Sequence, residues 1–143
     1  MKKLLATSGL LILLALSSQA QCEKNLTLTS AKTEFIDSAG KVADVKDMPT
    51  TVELTPHHII VRLEQGDDGI IEGDIKNLKC NWKELYKSGQ ATFGSLLAKA
   101  NGETREATFV LEAKDGKLYL TVAMERMNDR KMRLQIDRYK ESR

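Results

Sequence analysis

The sequence predicts an all-β domain, a small antiparallel sandwich or a partly closed barrel, ending in a C-terminal meander. Apolar residues recur at every second position in segment after segment, which is the period of a half-buried strand. Short polar turns containing Gly, Asn or Asp separate those segments. No window sustains a helical apolar stripe beyond two turns, which argues against a helix-rich fold.

The chain opens with a targeting segment. Lys2 and Lys3 precede an apolar run from Leu10 to Leu16, and Ser18-Gln19-Ala20 places small residues where a signal peptidase reads. Residues 1–20 are therefore expected to be a signal peptide, and residues 21–143 a single secreted β-rich domain. The apolar run falls short of the roughly 20 residues a membrane-spanning helix needs, so no transmembrane anchor is expected after cleavage. The location implied is secreted or periplasmic. A lipid anchor on Cys22 is the alternative, although Gln19 and Gln21 stand where an aliphatic and a small residue would suit lipidation.

The first strands are expected at Leu26–Leu28 and Thr33–Ile36, followed by a turn at Asp37-Ser38-Ala39-Gly40 and a return over Lys41–Val45. Pro49 is expected to interrupt pairing, because it lacks an N–H. The next strand begins at Val52 and Leu54 and is closed by Pro56; Ile59, Val61 and Leu63 then alternate with Ile60 and Arg62. After the polar turn Glu64–Gly69, Ile70–Leu78 reads as a long strand reaching Cys80. Trp82–Tyr86 fits a helical turn, with Asn81 as cap and Glu84 three positions on. Ala91–Ala100 reads as a strand through Thr92-Phe93 or a short helix through Leu96-Leu97-Ala98, and the hairpin turn Asn101-Gly102 favours the strand. The meander follows, with Ala107, Phe109 and Leu111, then Leu118, Leu120 and Val122, then Met132, Leu134 and Ile136 facing inward. Its first hairpin turns at Lys114-Asp115-Gly116, where glycine adopts the left-handed conformation cheaply.

Lys2 and Lys3 account for the formal charge of +2, so the mature chain balances its basic and acidic residues. A generally basic, nucleic-acid-binding surface is not supported. The mature chain contains two cysteines, Cys22 and Cys80, and an exported chain meets an oxidising environment, so a disulfide between them is expected.

Few residues nominate chemistry. His57 and His58 are the only histidines, and adjacent side chains on a strand point to opposite faces, so shared metal ligation is disfavoured. No local pattern supplies them with a nucleophile or an orienting carboxylate, and no catalytic residue, cofactor or metal is assigned. Glu64, Asp67, Asp68, Glu72 and Asp74 crowd one segment, and the first four offer oxygen ligands for a weak calcium site, without the spacing of an EF-hand loop. Arg126, Arg130, Lys131 and Arg133 cluster around one turn and can meet an anionic or protein partner. Trp82 and Tyr86 can stack on a sugar or a protein if exposed; core packing beside the disulfide is the plainer use of a lone tryptophan.

The segments Thr33–Lys41, Pro56-His57-His58-Ile59-Ile60-Val61, Cys80-Asn81-Trp82 and Asp137-Arg138-Tyr139-Lys140 carry a resemblance. In them the chain resembles small exported β-rich proteins of unknown function from Bacteroidetes-type bacteria. The resemblance implies a β fold and transfers no catalytic motif. The expected function is a secreted, non-enzymatic module that binds a small ligand, a glycan or a protein. The alternatives are a structural or stress-related envelope protein, and a small hydrolase or isomerase with a site assembled across strands. An apolar cavity would favour the first, a broad exposed sheet edge the second, and a deep polar pocket around a histidine the third.

Overall fold

The computed structural model describes residues 22–64, 69–127 and 130–142, so the expected signal peptide, residues 1–20, lies outside the described residues. The chain is all-β. Its strands are β1 (Asn25–Asp37), β2 (Val42–Leu54), β3 (His58–Leu63), β4 (Ile70–Glu84), β5 (Ser88–Lys99), β6 (Thr104–Lys114), β7 (Lys117–Met124), β8 (Arg130–Ile136) and β9 (Arg138–Ser142). Each strand from β1 to β7 pairs antiparallel with the next, and β8 pairs back onto β1, closing an eight-stranded barrel. Closure removes the open edges that a sandwich would leave. The meander forms as the alternation predicts, with Phe109 opposite Val122 and Leu120 opposite Leu134. At its first turn Asp115 and Gly116 both have positive φ, the geometry of a tight hairpin turn.

Inward side chains fill the barrel. Leu28, Ile59, Phe109 and Leu120 are all but inaccessible, and Phe93 stacks on Phe109 with ring centroids 4.8 Å apart. Eight strands enclose a space just wide enough for side chains or for one small ligand. The core therefore leaves room only where side chains run out, at the barrel ends.

Four expectations are corrected. Leu26–Leu28 and Thr33–Ile36 belong to one strand, β1, with a register irregularity between Ser30 and Lys32. Pro49 does not interrupt β2: it sits opposite that irregularity, where no cross-strand donor is required, and its carbonyl accepts from Glu64 N–H at 3.2 Å. Trp82–Tyr86 is not helical, because β4 carries Trp82 into a hairpin and only Leu85–Lys87 turn. Finally, β9 follows the meander and pairs with Asn25–Thr29, so β8 and β9 run in succession along the same side of β1. Asp137 joins them, donating its N–H to Thr29 O at 2.8 Å and accepting from Ala31 N–H at 2.8 Å through its carboxylate.

Candidate functional site

The two ends of the barrel differ in construction. At one end lie the first residues of β1, the hairpins β2–β3, β4–β5 and β6–β7, and β9. Here a disulfide joins Cys22 to Cys80, with Cα atoms 6.0 Å apart, and ties the chain start to β4. A bulge makes this possible. On β4, Ile71 and Ile75 face inward at odd positions; after an irregularity containing Asn77, at φ 57°, the inward positions become Leu78, Cys80 and Trp82. An extra residue in a strand flips the facing of everything beyond it. Trp82 is 7% exposed, and its partner across the strands is Gly89, where a Cβ would collide with Trp82 Cα and the Asn81 carbonyl. Tyr86 packs edge-on against Trp82 at 5.6 Å and against Tyr139 at 5.3 Å. Burial, reinforced by the nearby Glu141 carboxylate, pushes the Tyr86 phenol well above its ordinary pKa. The hollow left among the core side chains at this end, beside Trp82 and Phe93, holds only about 50 Å³.

The opposite end is open in its core. An apolar cavity of about 140 Å³ is bounded by Met48, Met124 and Met132, by Val61, Ile71 and Leu97, and lower down by Phe109 and Leu134. Thr33 and Thr50 also line it, and Thr50 Oγ1 donates to the Met48 carbonyl at 3.0 Å, so that hydroxyl is already engaged. Three methionines at the mouth make a soft, adaptable rim. The site is not legible in the sequence, because its walls come from all eight barrel strands and each residue looks like ordinary core in its own segment. The signal available in the sequence is the set Met48, Met124 and Met132, which β2, β7 and β8 bring to one cavity.

The residues singled out from sequence are distributed elsewhere. Trp82 is buried and Tyr86 half-buried at the closed end, where they pack on each other. Arg133 lies on the outer surface, where its guanidinium pairs with Glu34 at 2.6 Å and covers the Tyr119 ring at 5.0 Å. Arg126, Arg130 and Lys131 are exposed near the open end. Of the four calcium-ligand candidates, Asp67 and Asp68 lie outside the described residues, and Glu72 lies 3.4 Å from the His58 ring. Among the described residues no group of three or more His, Cys, Asp or Glu side chains is placed to hold a metal.

His57 is exposed and His58 half-buried at the start of β3. The His58 ring bridges two carboxylates, with Nδ1 3.0 Å from Asp74 and Nε2 3.4 Å from Glu72. The Asp74 hydrogen bond raises the His58 pKa above its ordinary value, partial desolvation opposes the rise, and Glu72 adds to it. In the sequence Asp74 is one of the crowded acidic residues, with no role beside a histidine assigned to it. The β3–β4 register that sets His58 opposite Asp74 identifies it. This group stands on the outer wall, not in a pocket.

No family model, curated protein or solved structure matches this chain. The fold and cavity define its class: a closed antiparallel β-barrel, its core tightly packed at one end and hollow at the other.

Proposed function

We propose that the protein is an extracytoplasmic, non-enzymatic binding module that holds a small apolar group in the open end of its barrel. The observation that carries this reading is the cavity of about 140 Å³, apolar apart from two threonines, in an otherwise filled barrel. Cavities of roughly 150 Å³ with apolar walls stay dry and accept a molecule the size of benzene. Drug-sized ligands need pockets of about 300 Å³ or more. The site therefore suits a short alkyl tail or a single ring. The Cys22–Cys80 disulfide and the signal-like leader support a location outside the cytoplasm. Among the described residues no helix is long and apolar enough to cross a membrane.

The rival readings have weaker support. A structural role through sheet-edge contacts would use Val42–Asp47, which pair only with β1 and expose Val42 and Val45. That edge is short and carries Asp44, Lys46 and Asp47, and the Asp44 carboxylate takes the Val45 N–H at 2.9 Å, the kind of protection that discourages edge pairing. An enzymatic role would need a polar pocket, and His58 with its carboxylates lies outside the barrel.

Calorimetric titration with 1-hexanol tests the proposal. Saturable one-to-one binding is expected, and it is lost in Val61→Phe, which fills the cavity while far-UV circular dichroism and cooperative unfolding persist. Equal binding by the wild type and the filled variant would refute it.

A further inference from the structure

The rim above the cavity has a pattern of its own. Side chains facing one another across paired strands lie on the same face of the sheet, and along a strand every second residue returns to that face. On β5 the inward series Ala91, Phe93, Ser95 and Leu97 continues to Lys99. On β6, Leu111, Phe109 and Ala107 continue to Arg105, which stands opposite Leu97. On β2, Met48 is followed on its face by Lys46, opposite Thr33; on β8, Met132 is followed by Arg130. Four strands thus end their inward apolar series in a cation at the open end.

Two of those cations, Lys99 and Arg105, line a hollow that adjoins the cavity. That second hollow, of about 160 Å³, is lined by Ile71, Leu97, Lys99, Glu103, Arg105 and Met124, and it shares Ile71, Leu97 and Met124 with the apolar cavity. The carboxylate in this hollow, Glu103, lies 3.9 Å from Lys99 Nζ. Arg105 has no ion-pair partner among the described residues. An arginine presents a planar fork of donors that suits a carboxylate. An apolar cavity alone would prefer a neutral ligand, since an ionised carboxylate pays a large desolvation penalty without a partner.

We propose that the two hollows form one site for a soluble medium-chain monocarboxylate, its tail between Leu97 and Met124 and its carboxylate on Arg105 beside Lys99. This rests on the apolar-site reading above and adds the charge of the ligand. The test uses octanoate, 1-octanol and octylammonium below their self-association concentrations, titrated into the wild type and Arg105→Gln at low salt. Arg105 is exposed at the rim, so its replacement leaves the core untouched. Octanoate should bind the wild type about tenfold more tightly than 1-octanol, the scale of one charge-assisted hydrogen bond, and octylammonium the most weakly. In Arg105→Gln the octanoate advantage should vanish while 1-octanol affinity stays unchanged. Octanoate and 1-octanol binding equally to the wild type, or an octanoate advantage that survives Arg105→Gln, would overturn the carboxylate assignment and leave the apolar site standing. Failure of all three to bind would overturn both.

Discussion

The closed and open ends of this barrel are built from the same strands and finished in opposite ways. At the closed end the inward series of β4 finishes in Cys80 and Trp82, and Tyr86 packs on both Trp82 and Tyr139. At the open end the inward series of β2, β5, β6 and β8 finish in Lys46, Lys99, Arg105 and Arg130, those of β2 and β8 by way of Met48 and Met132. Packing is spent on stability where space is filled, and a recognition surface is available where it is not. Functional sites in small barrels are expected at the mouth for this reason.

Substitutions at the two ends should separate these roles. Trp82→Ala should cost about 3–5 kcal/mol, the range for truncating a buried large aromatic, in denaturant unfolding. Met132→Ala, at a partly exposed mouth position, should cost less than about 2 kcal/mol and change ligand affinity more than stability. Equal losses at both sites would erase the distinction between a packed end and a hollow one.

The disulfide should matter nearly as much as Trp82. It closes a separation of 58 residues, and on the chain-entropy account its removal costs up to about 4 kcal/mol. Unfolding of Cys22→Ser/Cys80→Ser should show that loss while 1-hexanol affinity at the far end stays within about twofold, as distant sites behave independently. A matching collapse of ligand binding in a still-folded variant would show the ends to be coupled.

The smallest expected effect is a pH dependence confined to the closed end. The folded pKa of Tyr86 lies above its unfolded value near 10, so the folded state holds this proton more tightly. The associated stability is fully present below about pH 10 and is lost as pH rises further. Tyr86→Phe should therefore flatten the alkaline fall in stability seen by denaturant titration, and ligand affinity at pH 7 should not move.

Much of this architecture was legible in the sequence, and the exceptions share a cause. Alternation and turn residues located β3 and the three meander strands because each signal is local. Barrel closure was not legible, since it depends on β1 pairing with both β2 and β8, contacts between residues such as Thr33 and Leu134 far apart in sequence. The Asn81–Glu84 capping pattern pointed to a helical turn, but a stronger local signal stood beside it: Leu78, Cys80 and Trp82 continue a strand alternation. Pro49 reads as a break on its missing N–H alone, whereas the irregularity of β1 opposite it removes the need for that donor. The Cys22–Cys80 pairing followed from cysteine count and compartment alone. The cavity was illegible because no segment contains it, and the basic cluster around Arg130 was divided by strand parity: Arg133 faces outward onto Glu34, while Arg130 follows Met132 toward the mouth.

The most direct measurement of the central claim is a methyl NMR titration of methionine-labelled protein with 1-hexanol, with the Trp82 indole N–H followed in parallel. The account predicts saturable shifts of the Met48, Met124 and Met132 methyl signals and an unmoved Trp82 indole. Shifts at Trp82 with the three methyl signals unchanged would contradict it and place binding at the end we describe as closed.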